Sequence, residues 1–342
     1  MTRQRRLLSL LGSSAVIVLL GGCAGHASPA ALPSSTKAPN VSPPPSPAVE
    51  SPRPGLVLPG RVVFDRCRHG DVSNIYLYSA GREKQVTEPG GYSGSRVSPN
   101  HRLIQVGPSD DTTPITGGTI DLNGHNYKRL TLHDPTLNLV PDAWSPDGSR
   151  LAFEGWDDSA PSRTGVYTAR YPDGGDLRRI TIRSGVNHDV PQDYSPDGRR
   201  LLFYRSVHGD PDPHVGGSLW TVGVDGSDPR RVNGAAHPAD WARWSPDGKT
   251  ILFASERTSA QGALWTVTPN GAHLTRIFDG SRGFPITPTW SPDGSQILFA
   301  LDPVNDEFTH PDNALVVIHS DGTQLRQVIS SEDCKRWPEW FR

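Results

Sequence analysis

The sequence predicts an all-β fold, a six-bladed β-propeller built from four-stranded antiparallel blades. Three observations carry that prediction. First, Trp-Ser-Pro-Asp-Gly recurs at Trp144–Gly148, Trp244–Gly248 and Trp290–Gly294, with a close copy at Tyr194–Gly198 and a worn one at Val97-Ser98-Pro99-Asn100. Second, each full copy is followed by a short apolar run: Leu151-Ala152-Phe153, Leu201-Leu202-Phe203, Ile251-Leu252-Phe253 and Ile297-Leu298-Phe299. Third, a second turn series runs in step with the first, at Ala80-Gly81, Asn123-Gly124, Asp173-Gly174, Asp225-Gly226, Asn270-Gly271 and Asp321-Gly322. Self-similarity at a period of about 45 to 50 residues means stacked or radial repeats, and strand-like units make the radial solution a propeller.

Ser-Pro-Asp-Gly is turn chemistry. Proline presets φ at the second position, Asp tolerates the third, and Gly accepts the left-handed conformation that closes a hairpin. The aromatic residue therefore ends one strand (A) and the apolar run forms the next (B). The second series follows alternating runs such as Ile75-Tyr76-Leu77-Tyr78 and Leu315-Val316-Val317-Ile318. It precedes short strands such as Arg129-Leu130-Thr131, so each repeat has strands A to D with turns at A–B and C–D.

The two series differ in count, six C–D turns against five A–B turns. The chain begins its first repeat at strand B, with Val62-Val63-Phe64, and ends on Arg336-Trp337-Pro338-Glu339-Trp340-Phe341-Arg342. Trp340 stands in step with the repeat aromatics. The last strand A therefore completes the first blade, and the ring has no open edge. Trp144, Tyr194, Trp244, Trp290 and Trp340 read as structural residues packed between sheets. Asp147, Asp197, Asp247 and Asp293 read as turn residues.

Three segments divide the chain. Residues 1–22 are a targeting segment: Arg3, Arg5 and Arg6 form a basic start, and Leu7 to Leu20 is apolar but short for a membrane span. Arg5-Arg6 resembles a twin-arginine signal, although the residues after it fit one poorly. Leu20-Gly21-Gly22-Cys23 resembles a bacterial lipobox, which implies cleavage before Cys23 and acylation of that cysteine. Two or more acyl chains, at about 0.8 kcal/mol per buried methylene, hold a protein stably. The expected location is the outer face of the cytoplasmic membrane or the periplasmic side of the envelope. Residues 23–59 carry the lipid and a Pro/Ser/Ala-rich tether that includes Pro43-Pro44-Pro45. As polyproline it would reach roughly 110 Å, and as a coil about 35 Å. Residues 60–342 form the propeller.

Composition narrows the partners. Net charge is −2, and removing the three arginines of residues 1–22 leaves −5. Nothing basic enough for nucleic acid remains, and a monomer is expected. With Cys23 assigned to lipid, Cys67 and Cys334 remain. Cys67 ends the first strand B and Cys334 stands just before the last strand A. An antiparallel A–B pair brings those ends together, and an exported protein meets an oxidising compartment, so a Cys67–Cys334 disulfide is predicted.

The P-x-W-S-P-D-G-x-x-Φ-Φ-F pattern resembles the TolB-type propeller repeat, also called the PD40 or WD40-like repeat, over about residues 60–342. The resemblance implies six blades and protein–protein interaction in the cell envelope. TolB carries an α/β domain before its propeller, and here a tether occupies that place. A TolB-like lipoprotein is therefore the description that fits.

The A–B and C–D turns share one face of a propeller, while the B–C and D–A connections share the other. The second face is expected to hold the long loops Pro108–Gly117, Gly155–Thr164, Ser206–Gly217 and Asp302–Asp312, and loops on a rigid scaffold carry binding residues. Seven of the 12 histidines map there: His69, His133, His188, His208, His214, His237 and His310. Candidate contacts for a ligand or partner are Asp142, His188, Asp189, His208, Asp212, His214, His237, Asp240, Trp241, Phe284 and His310. Imidazole with carboxylate suits a divalent metal, but polar loops also contain His and Asp without binding one. No cofactor is therefore assigned. The sequence has no G-x-S-x-G elbow and no H-E-x-x-H pair. The leading expectation is a non-catalytic module that binds a protein, peptide or ligand of the envelope. The alternative is a metal-dependent polysaccharide lyase using the His/Asp-rich face.

Overall fold

The structure is a computed structural model. It describes residues 57–68, 72–87, 94–107, 114–182, 188–206, 217–232, 239–255, 262–303, 313–330 and 333–342. Six four-stranded antiparallel sheets are arranged as predicted. The first blade contains β1 (Arg61–Arg68), β2 (Val72–Ser79) and β3 (Arg82–Gln85). The second contains β4 (Arg96–Val97), β5 (Leu103–Val106), β6 (Gly118–Asp121) and β7 (Lys128–Arg129). The third contains β8 (Asn138–Trp144), β9 (Arg150–Trp156), β10 (Gly165–Arg170) and β11 (Arg178–Arg179). The fourth contains β12 (Asp189–Tyr194), β13 (Arg200–Arg205), β14 (Ser218–Gly223) and β15 (Arg230–Arg231). The fifth contains β16 (Asp240–Trp244), β17 (Ile251–Ser255), β18 (Ala263–Val267) and β19 (Thr275–Phe278). The sixth contains β20 (Phe284–Trp290), β21 (Gln296–Asp302), β22 (Ala314–His319) and β23 (Arg326–Ser330). The last strand, β24 (Cys334–Phe341), returns to pair with β1 in the first blade.

The A–B turns use one device throughout. In the third blade, Asp147 Oδ1 accepts from Ser145 Oγ at 2.6 Å and from Ser149 N at 3.0 Å, and Gly148 N bonds Ser145 O at 2.8 Å. The same bonds recur around Asp197, Asp247 and Asp293. Gly148 has φ +71°. In the worn copy, Asn100 replaces Asp and His101 takes the left-handed position at φ +56°.

Each repeat aromatic packs onto the preceding blade. Trp340 sits with Val62, Phe284 and Leu298 between blades one and six. Trp290 lies with Leu252, Leu264 and Ile297. Trp244 lies with Leu202, Leu219 and Ile251, and Tyr194 with Ala143, Ala152 and Leu201. Trp144 meets Tyr171 edge-on at 4.8 Å between centroids. These apolar layers are the core, and burying each large side chain contributes roughly 1.5–3 kcal/mol.

Closure of the ring follows the predicted register. Val62 pairs with Trp340 and Cys67 with Cys334, whose Cα atoms are 5.1 Å apart and whose sulfurs form a disulfide. Cys334 is the first residue of β24, so the strand begins one step earlier than the sequence suggested. Leu58 is buried beside Trp340, and the Trp340 indole N–H donates to Pro59 O at 2.7 Å. The disulfide closes a loop of 267 residues, for which the chain-entropy model gives about 5 kcal/mol as an upper figure. The double Cys67→Ser, Cys334→Ser variant is expected to unfold at lower denaturant concentration, with a steeper slope because its unfolded chain is no longer cross-linked. An unchanged midpoint would show that the strand pairing closes the ring without the bond.

Candidate functional site

Two faces have to be distinguished. On the loop-bearing face, where each inner strand starts, the described residues form one polar cluster across blades three and four. His188 precedes β12, and its Nδ1 lies 2.9 Å from Glu154 Oε1 on β9. The Glu154 carboxylate holds the imidazole pKa above its ordinary value against the effect of burial. Next to it, Asp189 is buried and receives Arg205 Nε and Nη2, both at 2.7 Å. Arg205 also lies over the Phe203 and Trp220 rings, at 5.1 and 5.0 Å. His188 is therefore the exposed member of the pair, and Asp189 serves to fix Arg205.

The other candidates scatter. Asp142 is withdrawn from solvent; one carboxyl oxygen has no partner, and burial with the nearby Glu154 pushes its pKa well up. It stands beside a β-bulge in β8, which turns it inward instead of toward a loop. Phe284 is buried in the core with Ile286 and Leu298. Trp241 is half-buried and meets Phe284 edge-on, with centroids 6.4 Å apart. The Asp240 backbone pairs with Ala254. Cys23, His208, Asp212, His214, His237 and His310 lie outside the described residues, as does His69. His133 Nε2 is 3.1 Å from Asp173 O, beside the C–D turn of the third blade. The long loop at 155–164 is stapled down. Its Asp157 accepts from Ser159 and Thr136 and pairs with Arg163 at 2.6 Å. Among the described residues no group of three or more His, Cys, Asp or Glu side chains is placed to hold a metal ion.

The turn-bearing face has a feature that the sequence reading missed. A cavity of about 410 Å³ opens there on the channel axis, and all six blades contribute to it. Its deep ring is the residue immediately before each repeat aromatic: Arg96, Ala143, Asp193, Arg243, Thr289 and Glu339. Five inner-strand pairings carry a bulge or irregularity beside this position, between Pro141/Ala143, Pro191/Asp193, Asp240/Arg243 and Ile286/Thr289 and at Val63/Asp65 opposite β24. A bulge re-aims the next side chain. Three of these kinks put a bulky residue in the left-handed region: Trp241 at φ +50°, Thr287 at +49° and Trp337 at +54°. Strain of this kind persists only where the surroundings over-determine it.

The ring closes the channel with charge. Glu339 Oε2 lies 3.4 Å from Arg96 Nη1 and 3.2 Å from Arg243 Nη2. Arg96 also donates from Nε to Asp142 O at 3.0 Å and from Nη2 to Gln192 O at 3.3 Å. Asp193 Oδ2 accepts from Trp244 N at 3.0 Å. Burial pushes the Asp193 carboxyl up to about 7; Arg96 opposes the shift and Glu339 adds to it. Burial also raises Glu339, against the pull of Arg96 and His101.

The sign for Asp193 is fixed by its raised pKa. Its folded-state value lies above the unfolded carboxylate value near 4, so the protonated form favours the fold. That contribution is complete below about pH 4 and is lost as the pH rises through about 7. Asp193→Asn keeps the acceptor for Trp244 N and cannot ionise. It should match the wild type below about pH 4 and exceed it increasingly up to pH 8, by roughly 2–4 °C in Tm per kcal/mol relieved. A Tm difference that does not change with pH would rule out the buried carboxylate as its cause.

Comparison with known proteins supplies the relationship. A family model described as the TolB beta propeller domain matches residues 121–341. No curated protein matches the chain in sequence. TolB from Acinetobacter baumannii superposes with a TM-score of 0.62 at 18% identity, over 82% of this chain and 66% of that one. The chain thus spans just under two thirds of that protein's length. A putative TolB from Agrobacterium tumefaciens gives 0.60 at 18%, over 83% and 99% of the two chains. An oligogalacturonate lyase from Vibrio parahaemolyticus gives 0.54 at 16%, over 75% and 71%. At these identities the likeness to solved structures is one of fold. The family match spans more than half of the sequence, and the chain belongs to the TolB beta propeller domain family.

Proposed function

We propose that this protein is an exported lipoprotein, anchored through Cys23, whose propeller binds a protein or peptide of the cell envelope without catalysing a reaction. One observation carries the reading: the N-terminal segment leaves the propeller on the turn-bearing face. Pro59 caps Trp340 and Arg61 Nη2 donates to Arg342 O at 3.0 Å, both at the end of the inner strand where the A–B turns lie. A tether running from that face to a membrane directs the opposite face, with His188 and the long connections, away from the lipid. Family membership supports a binding role, since a propeller scaffold holds loops rigidly for recognition.

Cys23→Ser is expected to move the protein from the membrane fraction to the soluble fraction, and continued sedimentation with membranes would remove the anchor from the proposal. A photo-crosslinking residue at position 188 should capture an envelope protein in intact cells, while one at position 146 on the turn-bearing face should not capture the same protein. Equal capture from both positions would refute the orientation.

The lyase reading has one observation in its favour, the shared fold of a lyase solved with manganese. Metal analysis of the purified chain separates the two. The binding reading expects no stoichiometric metal and an unchanged Tm in chelator. Stoichiometric metal lost in His188→Ala or His214→Ala would replace that reading with the lyase and direct substrate tests to anionic polysaccharides.

A further inference from the structure

We propose that the cavity on the turn-bearing face is a second binding site, and that it takes a carboxylate group carried on an apolar stem, received by Arg243. The argument starts from the two arginines of the deep ring, which are equally withdrawn from solvent at 12% and 11% side-chain exposure. Arg96 is committed to the fold: its three nitrogens go to Asp142 O, Glu339 and Gln192 O. Arg243 is not. Its one bond among the described residues is from Nη2 to Glu339, at 3.2 Å. A guanidinium has five N–H donors in a planar fork that matches a carboxylate in bidentate fashion. None of the remaining Arg243 donors is a buried orphan, so they are open to the cavity that the residue lines.

Charge and shape point the same way. The floor sets two guanidiniums against Glu339 and Asp193. Because burial holds Asp193 protonated up to about pH 7, the floor carries an excess of positive charge below neutrality. Above the floor, Trp244, Trp290, Pro246 and Pro292 offer apolar surface on walls that they share with polar groups such as His101 and Arg342. A volume of about 410 Å³ lies within the ordinary range of small-molecule pockets, roughly 300–1,000 Å³. Such a site suits one acid group at the bottom and a hydrophobic stem along the wall. Two sources carry that chemistry, a small organic acid and the C-terminus of a peptide. The site is on the opposite face from the proposed partner surface and does not depend on it.

The test is titration calorimetry on the whole folded chain at pH 6.5 with four probes: benzoate, benzamide, the blocked tripeptide acetyl-Ala-Ala-Leu with a free carboxyl, and its carboxamide. The proposal expects saturable binding of at least one acid and at least tenfold weaker binding of the matching amide. Benzoate alone would identify a small acid as the ligand class, and the tripeptide acid alone a chain terminus. Arg243→Gln should weaken binding of the acid at least tenfold, and Arg243→Lys should retain part of it. Should Arg243→Gln fail to fold, Thr289→Glu serves instead. It places a carboxylate in the same ring, and should abolish acid binding while the protein keeps its Tm. Failure of both acids to bind at about 10 mM, where affinity is worth under 3 kcal/mol, would overturn the proposal. So would equal binding of acid and amide, or acid binding that Arg243→Gln and Thr289→Glu leave unchanged.

Discussion

The fold depends on the contact between each inner strand and the next. A blade alone is a small twisted sheet with two apolar faces, and only its two neighbours can cover them. The ring stands when all six junctions hold. Each is pinned near the channel by something more directional than apolar burial. Asp65 of the first blade receives Gly94 N and Ser95 Oγ of the second. Gln105 donates to Pro141 O of the third, and Glu154 meets His188 of the fourth. Gln192 and Asp193 take the amides of Ala242 and Trp244 in the fifth. Trp241 meets Phe284 of the sixth edge-on, and Thr287 Oγ1 takes Trp337 N of the first. A buried bond of this kind adds only about 1 kcal/mol net, but leaving its polar groups unpaired costs more. The links therefore select one angular spacing as much as they add stability.

The repeat divides its positions by what each must do. The aromatic has to fill the gap between blades, and Ser, Asp and Gly have to close a turn, so their identities are held by packing and by backbone geometry. The residue just before the aromatic is under neither demand. The bulge aims it at the axis, where it meets its counterparts and the backbone of neighbouring inner strands. Arg96, Ala143, Asp193, Arg243, Thr289 and Glu339 differ from one another because the fold asks nothing common of them. Glu339 draws Arg96 and Arg243 together across the axis, so three of the six positions are joined by charge.

Much of the fold was legible because its signals are local. Pro, Asp and Gly in the A–B turns, and Gly in the C–D turns, have one conformational use each. Trp340 could be placed by counting alone. The disulfide followed from register, since an antiparallel pair aligns the end of one strand with the start of the other. The candidate site was less legible, for two physical reasons. Strand alternation predicts which side chains share a face, but the bulges at Asp142 and Gln192 shift that alternation, so Asp142 turned inward. Nothing in the sequence around Trp241, Thr287 or Trp337 signals a left-handed backbone, which ordinary strand residues avoid. The charged ring also joins residues as far apart as Arg96 and Glu339, which only ring closure brings to 3.4 Å. A charged residue at four of the six positions just before the repeat aromatic or its counterpart Val97 was the signal available, and it becomes informative once that position is known to face the axis.

Asymmetry is the remaining consequence of how the ring closes. Because the described propeller runs from a strand B to a strand A, its first and last strands meet at the turn-bearing face, where Arg61 pairs with Phe341. Leu58 and Pro59 are built into the seam beside Trp340. Residues 57–60 therefore lie on the same side of the ring as the axial cavity. The opposite, loop-bearing face carries His188 exposed, with Asp189 and Arg205 fixed to each other beside it. A propeller closed at a different strand would place its ends elsewhere and lose this polarity. The closure that stabilises the ring thus also determines on which of its faces the chain enters the propeller.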